Sequence, residues 1–194
     1  MDLDKNQKLN YIWEAIKKAY PDRILVFNDG SPNAQIMIIG EAPGADEERQ
    51  RLPFVGRAGQ LLNRTLENLN WKRSDFYITN IVKYRPVDPV TGGNRTPTDD
   101  EIAKFRQVIE KEISAVNPKL IVILGRVAMA GIGYNGTMGQ YRGKIFEKEI
   151  PESSLLNQGI KRKVLITYHP AAILRNPNWE PQFRGDLDKI RELI

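Results

Sequence analysis

The chain has 194 residues, is 41% hydrophobic and carries 29 Lys and Arg against 24 Asp and Glu, a size and composition that predict one domain, 1–194, with a substantial core. The absence of cysteine excludes disulfides, thiolate catalysis and cysteine-ligated zinc or iron-sulfur sites, and a single histidine argues against a histidine-built metal site, so no metal or cofactor is expected. No apolar run has transmembrane length and the acidic start MDLDKNQKLN is not a signal peptide, so a cytosolic protein without membrane contact is expected; the net charge of +5 suits a polyanionic partner, though an ordinary basic surface gives the same balance.

Along the chain, Leu9, Ile12, Trp13 and Ile16 recur at helical spacing and predict a first helix ending near Pro21. A short extended piece, Ile24–Phe27, leads into the turn formers Asn28–Asn33. The run AQIMIIG lacks polar alternation, as a strand buried on both faces does. Ala58, Leu61, Leu62, Leu66 and Leu69 then share one helix side, DFYITNIV is a second core strand, and RPVDPVTGGNR is a Pro- and Gly-rich loop. Thr98 and Glu101 form a capping box that opens a long helix with the stripe Ile102, Phe105, Val108, Ile109, Ile113 and Val116. KLIVILG is the third strand, RVAMAGIG a short helix, and KVLITYH the fourth strand. A last amphipathic helix runs through Phe183, Leu187, Ile190 and Leu193. This alternation predicts an α/β fold, a three-layer αβα sandwich around a central four-stranded parallel sheet.

In such sheets ligands bind beyond the carboxyl ends of the strands, which singles out GEAPGADEE, ITNIVKYRP, LGRVA and TYHPAAILR. The glycines and proline of Gly40–Gly44 make a tight turn that lets main-chain amides approach a ligand and holds Glu41 above a strand end; the same residues also read as a turn before an acidic helix start. Phe54, in a loop just before a helix, serves either as a core lid or as a platform for a planar base. Asn80 ends its strand with an amide that offers both a donor and an acceptor. His169, before a Pro-initiated turn, fits an electrophile or general acid as well as a packed residue.

As an ordered set, GEAPG, PFVGRAGQLL, ITNIVKYRP with a following NRTP, LIVILG and HPAAILR resemble the family-4 uracil-DNA glycosylases, from about Val26 to the C-terminus. The resemblance implies hydrolysis of the bond between a flipped-out uracil and its deoxyribose in single- or double-stranded DNA. It also implies residue roles. Gly40, Glu41 and Ala42 would form the uracil- and water-binding motif, Phe54 would stack on the base, and Asn80 would pair with its polar edge. His169 would hydrogen-bond O2 and stabilise the departing anion. Leu174 or Arg175 would fill the gap left in the duplex, and Gly125 and Arg126 would lie near the phosphate backbone. Glu41 and His169 are thus the expected catalytic pair, acting in a monomer.

The chain departs from that pattern at the four cysteines that hold a [4Fe-4S] cluster in the family. Tyr84 and Phe105 align with two of them, and the Tyr20–Pro21 region replaces the N-terminal pair, so aromatic packing in place of the metal staple is expected. The aspartate and the thymine-excluding tyrosine of family-1 enzymes align with Ala42 and Gly44. Water activation therefore falls to Glu41, and Glu47 is a candidate to crowd a thymine methyl. Neither a lysine nor an N-terminal amine occupies an evident catalytic position in the motifs, which favours a monofunctional enzyme. The alternatives are a glycosylase for hypoxanthine or xanthine, a catalytically silent DNA-binding homologue, and a Rossmann-like nucleotide binder, against which the lack of GxGxxG counts.

Overall fold

A computed structural model describes residues 3–150 and 159–194. Six strands form one mixed sheet: β1 (Asn28–Gly30), β2 (Ile36–Gly40), β3 (Phe76–Asn80), β4 (Leu120–Leu124), β5 (Ile145–Ile150) and β6 (Ile160–Thr167). Their spatial order is β1-β3-β2-β4-β6-β5. The four inner strands are parallel, with Ile38 opposite both Ile78 and Val122, and Val122 opposite Leu165. These are the four expected strands, and β2, β3 and β4 are buried along their whole length, which is why none shows polar alternation.

Both edges differ from expectation. The predicted turn at Asn28 supplies a three-residue antiparallel edge strand on β3, while Leu25 in the preceding piece makes only an isolated bridge to Tyr84. On the other side β5 pairs antiparallel with β6. Short or half-exposed edge strands satisfy one row of main-chain groups and need little apolar sequence, so they leave a weak signature.

Helices cover both faces. On one lie α1 (Lys5–Ala19), α4 (Asp99–Val116) and α5 (Gly125–Gly131); their residues Trp13, Ile16, Phe105, Ile109 and Val127 share a core with Met37, Ile39, Tyr77 and Ile121. On the other lie α3 (Arg57–Asn68), α7 (Pro170–Arg175) and α8 (Glu180–Asp188), where Leu62, Leu66, Ile173, Phe183 and Leu187 pack on Ile36, Ile38, Phe76 and Val122. The alternate residues of β2 thus serve opposite cores, as the period of two demands. Two shorter helices, α2 (Ala45–Gln50) and α6 (Met138–Tyr141), complete the set, and the expected last helix ends as a 3-10 turn over Lys189–Glu192. Asp4 and Gln7 cap α1, which stops at Ala19 before Pro21, and the Thr98–Glu101 box caps α4. Among the described residues no helix is long and apolar enough to cross a membrane.

At Tyr84 and Phe105, where the resemblance implies cluster cysteines, aromatic rings pack together. Tyr20 stacks on Phe105 at 5.2 Å between centroids, and Tyr84 meets them at 5.6 and 5.7 Å. Arg23 covers Tyr84 at 4.8 Å. The Tyr84 hydroxyl donates to Glu101 Oε1 at 2.9 Å, and Arg95 binds the same carboxylate through two nitrogens at 2.7 and 2.9 Å. The triad therefore joins α1, the segment after β3 and α4, and through Glu101 it also holds Arg95 at the end of the Pro- and Gly-rich loop.

Candidate active site

At the carboxyl ends of β2, β3 and β6 a cleft of about 520 Å³ opens. Glu41, Ala42, Phe54, Asn80, His169, Leu174 and Arg175 line it together. Gly40 lies beneath, where a Cβ would run into Asn80 Oδ1 and the Phe54 ring, whose Cε2 would stand 2.7 Å away. Sheet pairing continues past the strand ends: the Ile81 and Val82 amides donate to the Gly40 and Glu41 carbonyls at 3.0 and 3.1 Å. This fixes the main chain of Glu41 while its side chain projects from the tight turn.

Asn80 is 2% exposed. Its main-chain carbonyl accepts from Lys83 Nζ at 2.7 Å, and its side chain lines the cleft. Lys83 is fully buried beside α1 and α4, donating also to Thr79 Oγ1 at 2.6 Å and Glu112 Oε2 at 2.5 Å. Burial pulls its ammonium below the ordinary lysine range, against the opposing pull of Glu112. The strand end that carries Asn80 is thus tied to a charge pair in the core.

His169 is the N-cap of α7, and its Nδ1 accepts from the Ala171 amide at 3.1 Å. Burial, with the nearby Arg175 cation, pushes its pKa down to about 4. The ring is therefore neutral at physiological pH with its proton on Nε2, since Nδ1 is engaged as an acceptor. Its ring centroid lies 5.7 Å from that of Phe54. Gly125, at φ +88, lets the ring approach, because a Cβ there would stand 2.8 Å from that of His169. Burial raises the Glu41 pKa, while Arg126 and Arg175 oppose the rise. A carboxyl so placed lies beside two cations yet is stripped of much of its hydration.

The structure thus brings every sequence-predicted base-contacting side chain to one cleft and puts Leu174, Arg175 and Arg126 exposed at its rim or beside it. Glu47 also lines the cleft. Its carboxylate accepts from the amides of Gly44, Val55 and Gly56 at 3.2, 2.9 and 2.7 Å, clipping the GEAPG turn to the Phe54 loop. Its oxygens are engaged with main chain, which fixes the side chain in the cleft wall. Sequence reasoning also missed Asn94, Arg95 and Thr96, which form another wall. Arg85 fastens that wall by donating to Asn94 Oδ1 at 2.5 Å and the Gly92 carbonyl at 3.0 Å. The only available signal was the NRTP that follows the loop. Arg73, which holds the Phe54 main chain, had none.

Comparison with known proteins agrees with this geometry. The family model described as the uracil DNA glycosylase superfamily matches residues 27–190. The chain is similar to the type-4 uracil-DNA glycosylase of Archaeoglobus fulgidus, at 38% identity over 84% of this chain and 79% of that protein. It is 37% identical to the type-4 enzyme of Sulfurisphaera tokodaii over 94% of this chain and 77% of that one. With the type-4 enzyme of Thermotoga maritima it shares 36% identity over 88% and 83% of the two chains. A match over most of the sequence, with the cleft residues assembled as the motifs require, means that the chain belongs to the uracil-DNA glycosylase superfamily.

Proposed function

We propose that this protein is a monofunctional uracil-DNA glycosylase that hydrolyses the N-glycosidic bond of a flipped-out uracil and leaves an abasic site. One observation carries the reading: a neutral histidine with its Nε2 proton available shares a cleft with a carboxamide, an aromatic ring and a half-buried carboxylate. Uracil is planar, so Phe54 stacks on it, and its O4 and N3–H edge needs the acceptor–donor pair that Asn80 offers. As the bond to the sugar breaks, negative charge gathers on the base. A hydrogen bond from His169 to O2 strengthens with that charge and so favours the transition state over the ground state. Glu41 orients a water on the sugar and favours the positive charge that develops there.

Extrusion of the base costs a few kcal/mol, which Leu174 or Arg175 offsets by entering the vacated space, while Gly125 and Arg126 face the backbone phosphates. Lys83, the lysine nearest Asn80 in sequence, is sequestered by Glu112 and Thr79, which supports hydrolysis without a covalent imine. The reading includes no cofactor. A cysteine-ligated cluster needs thiolates that this chain lacks, and the packed rings of Tyr20, Tyr84 and Phe105 do not fit one. The enzyme acts as a monomer in the cytosol.

The test is incubation with uracil-containing single-stranded DNA followed by alkali. Cleavage at the uracil position is expected. An intact strand would leave the catalytically silent DNA binder, and cleavage confined to hypoxanthine or xanthine substrates would replace the assigned base.

A further inference from the structure

Phe54 has φ +54, a left-handed conformation that is unfavourable for a bulky L-residue and persists only where its surroundings impose it. Two of the imposing features lie close in sequence. Gly59 has no Cβ, and one there would overlap the Phe54 carbonyl and lie 2.6 Å from its Cα. Glu47 takes the next two amides, as described above.

The third feature comes from the far side of α3. Arg73, in a 3-10 turn over Arg73–Asp75, donates from Nη2 to the Pro53 carbonyl at 2.5 Å and from Nη1 to the Phe54 carbonyl at 3.3 Å. Nη1 also reaches Asn63 Oδ1 at 2.8 Å, and Nε meets Asp29 Oδ2 at 2.5 Å. Asp29 is itself fixed on β1, where its other oxygen accepts from the Gly30 amide at 2.8 Å. One guanidinium therefore connects the sheet edge, α3 and the two carbonyls that flank the strained residue. The planar fork does this because its donors point in several fixed directions, which a lysine ammonium cannot reproduce.

We infer that Arg73, braced by Asp29, is a positioning residue for the base platform: it holds the Phe54 main chain in the conformation that sets the ring over Gly40 and beside Asn80 and His169. The inference rests on the proposed role of Phe54 in uracil binding. Arg73 acts through Phe54 and does not touch the base.

Arg73→Lys keeps the charge opposite Asp29 but loses the fork, so the fold is retained while the platform loosens. Amide exchange read by mass spectrometry over residues 52–59 is expected to quicken on the order of tenfold, with the rest of the protein unchanged. Single-turnover excision of uracil should fall by roughly ten- to a hundredfold, the scale of an ångström-sized misplacement, with affinity for undamaged DNA preserved. In a Phe54→Ala background the same substitution should change excision by less than about twofold, because coupled residues are not additive. Unchanged exchange in that segment would overturn the inference whatever the activity. So would an equal loss of excision with and without the Phe54 ring. If exchange quickens but Phe54→Ala excises at the wild-type rate, the base-platform role fails instead, and the positioning role falls with it.

Discussion

Gly40 and Asn80 stand opposite one another at the carboxyl ends of adjacent parallel strands, and the space that a Cβ on Gly40 would need is filled by Asn80 Oδ1 and the edge of the Phe54 ring. The smallest side chain beneath the cleft thus sets the position of two larger ones. Gly40→Ala should displace both, and single-turnover excision is expected to drop by roughly a hundredfold. Affinity for undamaged DNA should hold, because the proposed phosphate contacts at Gly125 and Arg126 lie elsewhere. Wild-type excision by this variant would show that neither side chain needs its present place.

Beneath the same strand end, Glu112 receives Lys83 on one oxygen and the Tyr77 hydroxyl, at 2.7 Å, on the other. Removing one member of a fully buried ion pair strands the other, at a cost of about 3–5 kcal/mol. Glu112→Ala should therefore lower stability by that amount in urea unfolding. A loss under about 1 kcal/mol would mean that Lys83 finds water or another partner when Glu112 is gone.

Glu101 provides a pH signature. Its hydrogen bonds from Arg95, opposed by burial and reinforced by the Thr98 amide and the Tyr84 hydroxyl, hold its pKa down at about 2. Because the folded value lies below the unfolded one, near 4.5, this contribution is complete above pH 4.5 and vanishes as pH falls through 2. The urea midpoints of wild type and Glu101→Gln should differ most near neutral pH and converge between those limits. A constant difference down to pH 2 would place the stabilisation in the helix cap alone.

The inner sheet and its helices were legible because burial on both faces and the helical stripe each write a period into the sequence. The edge strands were not: Asn28–Gly30 satisfies one row of hydrogen bonds with turn formers, and β5 carries the charged run Glu147–Glu149. In the cleft, Glu41, Phe54, Asn80 and His169 were legible because they stand at strand ends and in a pre-helical loop, where a parallel sheet opens its ligand crevice. Arg73 was not, nor was the clip that Glu47 makes, since both grip main-chain groups that any residue presents. The left-handed turn at Phe54 leaves no mark in a Pro-Phe-Val run, as the residues that impose it lie 5, 7 and 19 positions away.

The sole histidine can be read directly. If burial and Arg175 hold its pKa near 4, its ring protons should titrate by NMR with a midpoint about there, well below 6.5. The neutral ring's contribution to folding is then complete above 6.5 and erodes as pH falls toward 4, because the unfolded chain binds the extra proton first. A midpoint near 6.5 would give an imidazolium at mildly acidic pH and a different donor to the base.

His169→Ala separates chemistry from packing. A donor that strengthens its bond as charge builds on uracil O2 acts in the transition state, so single-turnover excision should fall by roughly a hundredfold or more. Affinity for a non-cleavable uracil analogue in DNA should change far less, since ground-state uracil is neutral. His169 also caps α7 through Nδ1, and loss of a cap costs on the order of 1 kcal/mol, so some destabilisation is expected in either case. His169→Asn tests the two roles apart: asparagine is a good N-cap and should restore stability, but its shorter amide does not place a donor where Nε2 stands. Asparagine restoring stability without excision is the expected result. Excision at the wild-type rate by a destabilised His169→Ala protein would remove the residue from the chemistry and leave Glu41 and the Gly40–Gly44 turn to carry it.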